Sequence, residues 1–190
     1  MTTDASSAAP RMSGDERREQ ILTVARHVFA RGGYAASTDD IARAAGVSQP
    51  YVVRLFGSKR ALYVESYRRA AEEVRRELAA VPAGPDAGAR MGQAYLGLVA
   101  DTDLRLLIMQ GFMSADPEVQ AVARDVLGAV FGMYLDKVAA DTDAARAFVA
   151  HGMLINVLLG TDAPAHADEA PGLAGLVACT VPEAFPEGRA

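Results

Sequence analysis

The stretch from Ser37 to Lys59 constrains this chain more than any other. Ile41, Ala42, Ala44 and Ala45 form a short apolar segment that ends at Gly46-Val47, and Ser48 and Pro50 open a second one. Alanine lets two helices cross closely, glycine permits a sharp turn between them, and Val47 plugs the space beneath that turn. Ser37 is placed to cap the first helix, with Asp39 and Asp40 at the positive end of its dipole. Ser48 caps the second, and Pro50 falls in a first turn, where its missing N–H costs nothing. The second helix ends near Phe56-Gly57. Such a pair is a helix-turn-helix, and its use is geometric: the second helix must project far enough to enter a groove wide enough for one helix.

Helical periodicity continues on both sides, strand signals are nearly absent, and no internal repeat is visible. Ile21, Leu22, Ala25, Val28 and Phe29 make one apolar stripe on a helix from Asp15 to Arg31, opened by the capping box Ser13-Gly14-Asp15-Glu16 and closed by Gly32-Gly33. A long helix from Arg60 to Ala80 carries Leu62, Tyr63, Tyr67, Ala70, Val74 and Leu78 inward. Val81-Pro82-Ala83-Gly84-Pro85 is the clearest break. Further helices are expected over Asp86 to Ala100, Asp103 to Ala115, Pro117 to Ala139 and Asp143 to Gly160, with a short one around Leu173 to Cys179.

The expected fold class is therefore all-α: an N-terminal three-helix, homeodomain-like helix-turn-helix domain followed by a C-terminal helical bundle. The boundaries are a disordered tail at 1–14, the helix-turn-helix at 15–60, a connecting helix at 61–82, a ligand-binding and dimerisation domain at 83–180, and a flexible tail at 181–190.

Charge divides along the same line. The net charge of −5 hides 13 Lys and Arg against 10 Asp and Glu in residues 1–80, and 6 against 14 in residues 81–190. The basic excess sits with the helix-turn-helix; the acidic second part is unsuited to lying along phosphates.

Composition argues against several other classes. Half the chain, 51%, is hydrophobic and 23% charged, ordinary for a globular protein. The single cysteine, Cys179, allows no intramolecular disulfide and reads as a small buried hydrophobe near a helix end. With only His27, His151 and His166 beside it, no zinc-ligand spacing exists, and neither a metal nor a cofactor is expected. No nucleophile stands with a base in a recognisable motif, no Gly-rich phosphate loop occurs, and adjacent acids such as Glu72-Glu73 do not share a helix face. An enzyme is not expected. Residues 1–14 lack the apolar centre of an export signal, and no apolar run approaches the roughly 18 residues of a membrane helix. A cytoplasmic location with no membrane partner follows.

One set of residues resembles a known family. Gly33-Tyr34, then Ser37-Thr38-x-x-Ile41-Ala42-x-x-Ala45-Gly46-Val47-Ser48, then Phe56-x-x-Lys59-x-x-Leu62 is similar to the DNA-binding domain of the tetracycline-repressor (TetR) family, over about Glu16 to Tyr67. The resemblance implies a transcriptional regulator, usually a repressor, with roles for named residues. Ser37 and Thr38 stand where the first helix meets phosphate. Ser48, Gln49, Pro50 and Tyr51 stand on the exposed start of the recognition helix, Gln49 suited to adenine and Tyr51 to sugar-phosphate or a thymine methyl. Arg54, a turn further on, reaches guanine or phosphate, and Lys59 contacts backbone phosphate. Many family members have tyrosine where this chain has Val53, and valine cannot make that tyrosine's phosphate contact.

The second domain diverges, as family members do there. Its residues Met91, Tyr95, Ile108, Met109, Phe112, Phe131, Tyr134 and His151 are the candidate lining of a cavity for an apolar small-molecule effector, with Tyr95, Gln110, His151 and Asn156 as polar handles. Gly128, Gly132, Ala147 and Gly152 put small residues on the last two long helices, which are expected to pair with their copies in a two-fold four-helix bundle. A homodimer also suits double-stranded DNA with a palindromic operator, since two recognition helices must reach successive major grooves. The alternatives are a helical small-molecule-binding protein and a regulator controlled by a protein partner without a small ligand.

Overall fold

Capping chemistry sets the first helix. In the computed structural model, which describes residues 12–139 and 141–181, the Ser13 hydroxyl accepts from the Glu16 amide at 3.2 Å while the Glu16 carboxylate accepts from the Ser13 amide at 2.7 Å. This opens α1 (Gly14–Gly32), which closes on Gly33 at φ 60°. After a 3-10 turn at Gly33–Ala35, Ser37 and Asp40 form a second capping box and open α2 (Thr38–Ala45). Gly46 then adopts the left-handed conformation, φ 66° and ψ 34°, which only glycine enters without strain, and the chain turns into α3 (Gln49–Phe56). Ser48 occupies the cap position of α3, but its side chain makes no capping bond.

Helix α4 (Lys59–Ala80) follows, capped by Ser58. Beyond the proline-rich break come α5 (Ala87–Ala100), α6 (Thr102–Phe112), α7 (Pro117–Val138), α8 (Thr142–Gly160), a 3-10 turn at Ala167–Glu169 and α9 (Pro171–Thr180). No strand occurs among the described residues. The fold is all-α, with helix bounds within a residue or two of expectation except at the end of α6. That helix stops at Phe112 rather than Ala115: Ser114 and Asp116 are taken into the turn that caps α7, the Ser114 hydroxyl accepting from the Asp116 amide at 3.1 Å. The expected tails fall largely on residues 1–11 and 182–190, outside the described part of the chain.

One apolar core runs through both halves. Ile21, Phe29, Ile41, Val52 and Leu62 are 0% exposed and belong to the same cluster as Tyr67, Leu78, Met91, Leu107 and Val119. Fully burying a side chain of this kind contributes roughly 1.5–3 kcal/mol, so α1–α4 and the helices that follow them stabilise one another. α4 supplies buried residues along its whole length, from Leu62 to Leu78. Polar links reinforce the junction. Arg26 on α1 pairs with Glu73 on α4 and with Asp101 at the start of α6. His27 and Arg31 meet Asp103 at 2.6 Å and 3.5 Å, and the Gln110 amide donates to the Ala30 carbonyl at 2.7 Å. Arg60 and Arg68 on α4 reach Asp116 and Glu118 on α7 at 2.6 Å and 2.8 Å.

Cys179 is exposed, contrary to the expectation of a buried hydrophobe. α9 lies on the outside of the bundle, so a cysteine near its end meets solvent; its thiol donates to the Leu176 carbonyl at 3.3 Å. None of the described helices is long and apolar enough to cross a membrane.

Candidate functional site

α3 is anchored by one edge and presented by the other. Val52 and Phe56 are buried on the side of α3 that packs against α2 and α4, while Ser48, Pro50 and Arg54 are exposed and Gln49, Tyr51 and Val53 half-buried. The helix therefore stands out as a rod with its polar edge outward. Arg54 lies over the Tyr51 ring, 5.1 Å from its centroid, so the two side chains form one outward-facing unit. Arg54 makes no ion pair among the described residues, whereas Arg43 on α2 is held by Asp39 and Asp40.

The other expected contacts are engaged within the protein. The Ser37 hydroxyl caps α2, accepting from the Asp40 amide at 3.1 Å and donating to the Asp40 carboxylate at 2.6 Å. This hydrogen bond holds the Asp40 carboxyl below its usual pKa. The Gln49 amide donates to the Thr38 hydroxyl at 3.2 Å, bracing α3 on α2. A bidentate contact from Gln49 to adenine uses the amide oxygen and one N–H, so the brace to Thr38 competes with it only if both draw on the same N–H. The Lys59 ammonium donates to the Tyr34 carbonyl at 2.8 Å and sits 4.4 Å from the centre of the Tyr34 ring. Tyr34, 48% exposed, packs edge-on against Tyr63, which packs edge-on against Phe29. Lys59 keeps two donors for phosphate, and its position is fixed by an aromatic ladder reaching into the core. Sequence reasoning gave Tyr34 no part in this.

Residues 21–65 match the family model for bacterial regulatory proteins of the tetR family. The chain carries a tetR-family DNA-binding domain. The HTH-type transcriptional activator FasR of Mycolicibacterium smegmatis is 47% identical over 60 residues, 31% of this chain and 27% of that protein. The match thus spans about a quarter of the curated relative's length. Among solved structures, a tetR-family transcriptional regulator from Streptomyces coelicolor superposes with a TM-score of 0.63 at 22% identity, covering 92% of this chain and 94% of that one. The multidrug binding protein EbrR, complexed with imidazole, does so with a TM-score of 0.62 at 25% identity, covering 85% and 89%. The tetR-type architecture therefore extends through the whole helical chain.

A cavity of about 60 Å³ lies among α4 to α8. Tyr95, Ile108 and Phe112 line it, as does Asn156. The other expected residues are placed elsewhere. Met91 is 0% exposed within the continuous core. Tyr134 is stacked on Phe148, with centroids 4.4 Å apart, and its hydroxyl packs on Gly88. Met109 and Phe131 are half-buried and His151 is exposed, all three off the cavity wall. Helical periodicity marks a residue as inward without saying whether it faces a void or a neighbour. Gly152 likewise turns from the expected subunit seam to the interior: a Cβ there would meet the Tyr95 ring at 3.1 Å. Arg105 and Phe148 are lining residues the sequence did not single out. Arg105 reads as an ordinary solvated helix arginine, and only the packing of α5 on α6 turns it inward. Among the described residues no group of three or more His, Cys, Asp or Glu lies together as a metal site.

Proposed function

We propose that the chain is a sequence-specific, homodimeric regulator of transcription working in the cytoplasm, a repressor released from a palindromic operator by a small, mainly apolar effector. The observation that carries this reading is the outward edge of α3, where an exposed Arg54 that makes no ion pair among the described residues lies over the half-buried Tyr51 ring. Ser48, Gln49 and Pro50 begin the helix that enters the major groove, Ser37 and Thr38 approach phosphate from α2, and Lys59 supplies a fixed positive charge at the flank.

Release is supported by the way the cavity and the reading head share α6. Its first turn carries Asp101 and Asp103, bound to Arg26 and His27 on α1, and its inner face carries Leu104 and Ile108 on the cavity wall. An effector that prefers a displaced α6 pulls on α1 and on α4, changing the separation of the two heads in the dimer. Dimerisation is supported by an outer surface of α8 and α9 that leaves Val157 48% and Leu176 40% exposed, and by open space over Gly128 and Gly132 on α7. FasR is named an activator, but its match to this chain covers only 60 residues, and direction depends on where the operator lies relative to a promoter.

Selection of DNA fragments from a random pool by the purified full chain tests the reading. Enrichment of one inverted repeat, with half-sites a whole number of helical turns apart, is expected. Retention that falls with salt and favours no sequence would reject it.

A further inference from the structure

The cavity wall is apolar except at two places, and both have an unmet hydrogen-bonding atom. Arg105 lies on the wall; its Nη1 donates to the Val99 carbonyl at 2.6 Å, but its buried Nε has no partner. Asn156 is 1% exposed; its Nδ2 donates to the Gly152 carbonyl at 2.8 Å and to the Tyr95 hydroxyl, and its Oδ1 has no partner. The Gly152 carbonyl fixes which end of the amide is which, since only the NH2 end can satisfy it. No carboxylate lines the cavity. The nearest acid acting on Arg105, Asp101, is itself taken by Arg26 and by the Leu104 amide. A cation therefore faces an apolar space without an anion at contact distance, and a buried acceptor faces it without a donor. A buried polar group left unpaired is destabilising, so the cavity favours an occupant that satisfies both.

We propose that the effector is a compact organic acid: an apolar body, a carboxylate that accepts from Arg105, and a hydroxyl that donates to the Asn156 oxygen. The proposal rests on the reading of this domain as the effector domain and specifies its chemistry. Size follows from the cavity volume of about 60 Å³. A water needs roughly 10–15 Å³ on this measure, so the space holds on the order of five water-sized groups without side-chain movement. A single-ring acid is about twice that size and enters only as the walls yield; a long chain would need far more room. Regulation follows from the neighbourhood of Arg105. Neutralising it alters the field at Asp101, one turn earlier on α6, which is the residue that holds Arg26 of α1.

The test is calorimetry on the full chain, without DNA, using matched pairs: benzoate and benzamide, 4-hydroxybenzoate and 4-hydroxybenzamide, hexanoate and hexanamide. The acid of at least one ring pair is expected to bind at least tenfold more tightly than its amide, with 4-hydroxybenzoate ahead of benzoate. Arg105→Gln is expected to abolish the acid preference while leaving amide binding within about twofold. No acid-selective binding in the wild-type chain overturns the proposal, and so does a preference that survives Arg105→Gln. The wild-type comparison stands even where the variant does not fold. DNA selection reads the regulator assignment separately, so failure of either leaves the other standing.

Discussion

Gly111 leaves the space that the Tyr67 ring fills: a Cβ at position 111 would lie 2.0 Å from Tyr67 Cε2 and 2.5 Å from its hydroxyl oxygen. This contact joins α6 to α4 at the junction of the two domains. Tyr67 is 0% exposed and burial pushes its phenol up to about 12. Gly111→Ala is therefore expected to destabilise the chain by about 1–3 kcal/mol through overpacking, although alanine is the better helix former. In a Tyr67→Ala background the same change is expected to cost much less. Urea unfolding of the four proteins of the cycle reads this directly; equal costs in both backgrounds would show that the clash is absorbed elsewhere.

Arg54 and Lys59 are expected to fail differently. Arg54→Ala should lose about 1–3 kcal/mol of binding to the selected operator and broaden the preferred sequence at one position of each half-site. Lys59→Ala should weaken all sequences alike and reduce the slope of log K against log salt by about one per head. It should also free Tyr34, seen as increased solvent quenching of tyrosine fluorescence. Binding isotherms across a salt series separate the two effects.

The brace between Gln49 and Thr38 makes an opposite-signed prediction. Thr38→Val removes the acceptor for the Gln49 amide and leaves that amide free to reach a base. Operator affinity should be retained or should rise up to about threefold if Gln49 reads adenine, while stability falls by about 0.5–1.5 kcal/mol for the lost hydrogen bond. Loss of affinity larger than the loss seen on non-specific DNA would place Thr38, rather than Gln49, at the contact.

The links between head and second domain predict a pH dependence. Burial alone would raise the Asp101 pKa, but the Leu104 amide and Arg26 outweigh it, and the carboxyl lies below its ordinary 3.8. The Arg60 hydrogen bond holds Asp116 below the same value. Both shifts are downward, so the stability they contribute is fully present above the unfolded value and is lost as pH falls through the lowered folded values. Thermal unfolding followed from pH 6 to pH 2.5 should show the largest loss below about pH 4. Asp101→Asn should flatten that acid limb while changing stability near neutrality by under about 1 kcal/mol, as expected for a part-exposed pair.

Local chemistry was legible in the chain; tertiary neighbours were not. The capping boxes at Ser13 and Ser37, the left-handed turn at Gly46 and the proline in the first turn of α3 all depend on residues within four positions of one another, so their pattern survives in sequence. The outward placement of Arg54 on α3 was expected from the family resemblance, and Arg54 is exposed. The cavity lining was not legible in either way. Tyr134, Gly152 and Cys179 were each assigned by residue type and Arg105 was passed over, and each owes its actual surroundings to what lies beside it: α5 beside Arg105, Phe148 beside Tyr134, Tyr95 beside Gly152, and solvent beside Cys179. The brace from Gln49 and the Tyr34 platform under Lys59 are likewise pairings across 11 and 25 residues, which periodicity does not encode.

The uninterrupted α4 runs from beside the recognition helix to the cavity wall at Val74. A rigid helix of 22 residues is about 33 Å long at 1.5 Å per residue. A tilt of about 5° at its cavity end swings its other end through roughly 3 Å, close to one base-pair step. Under the release proposed above, a ligand that displaces Val74 on the cavity wall would carry the head out of register.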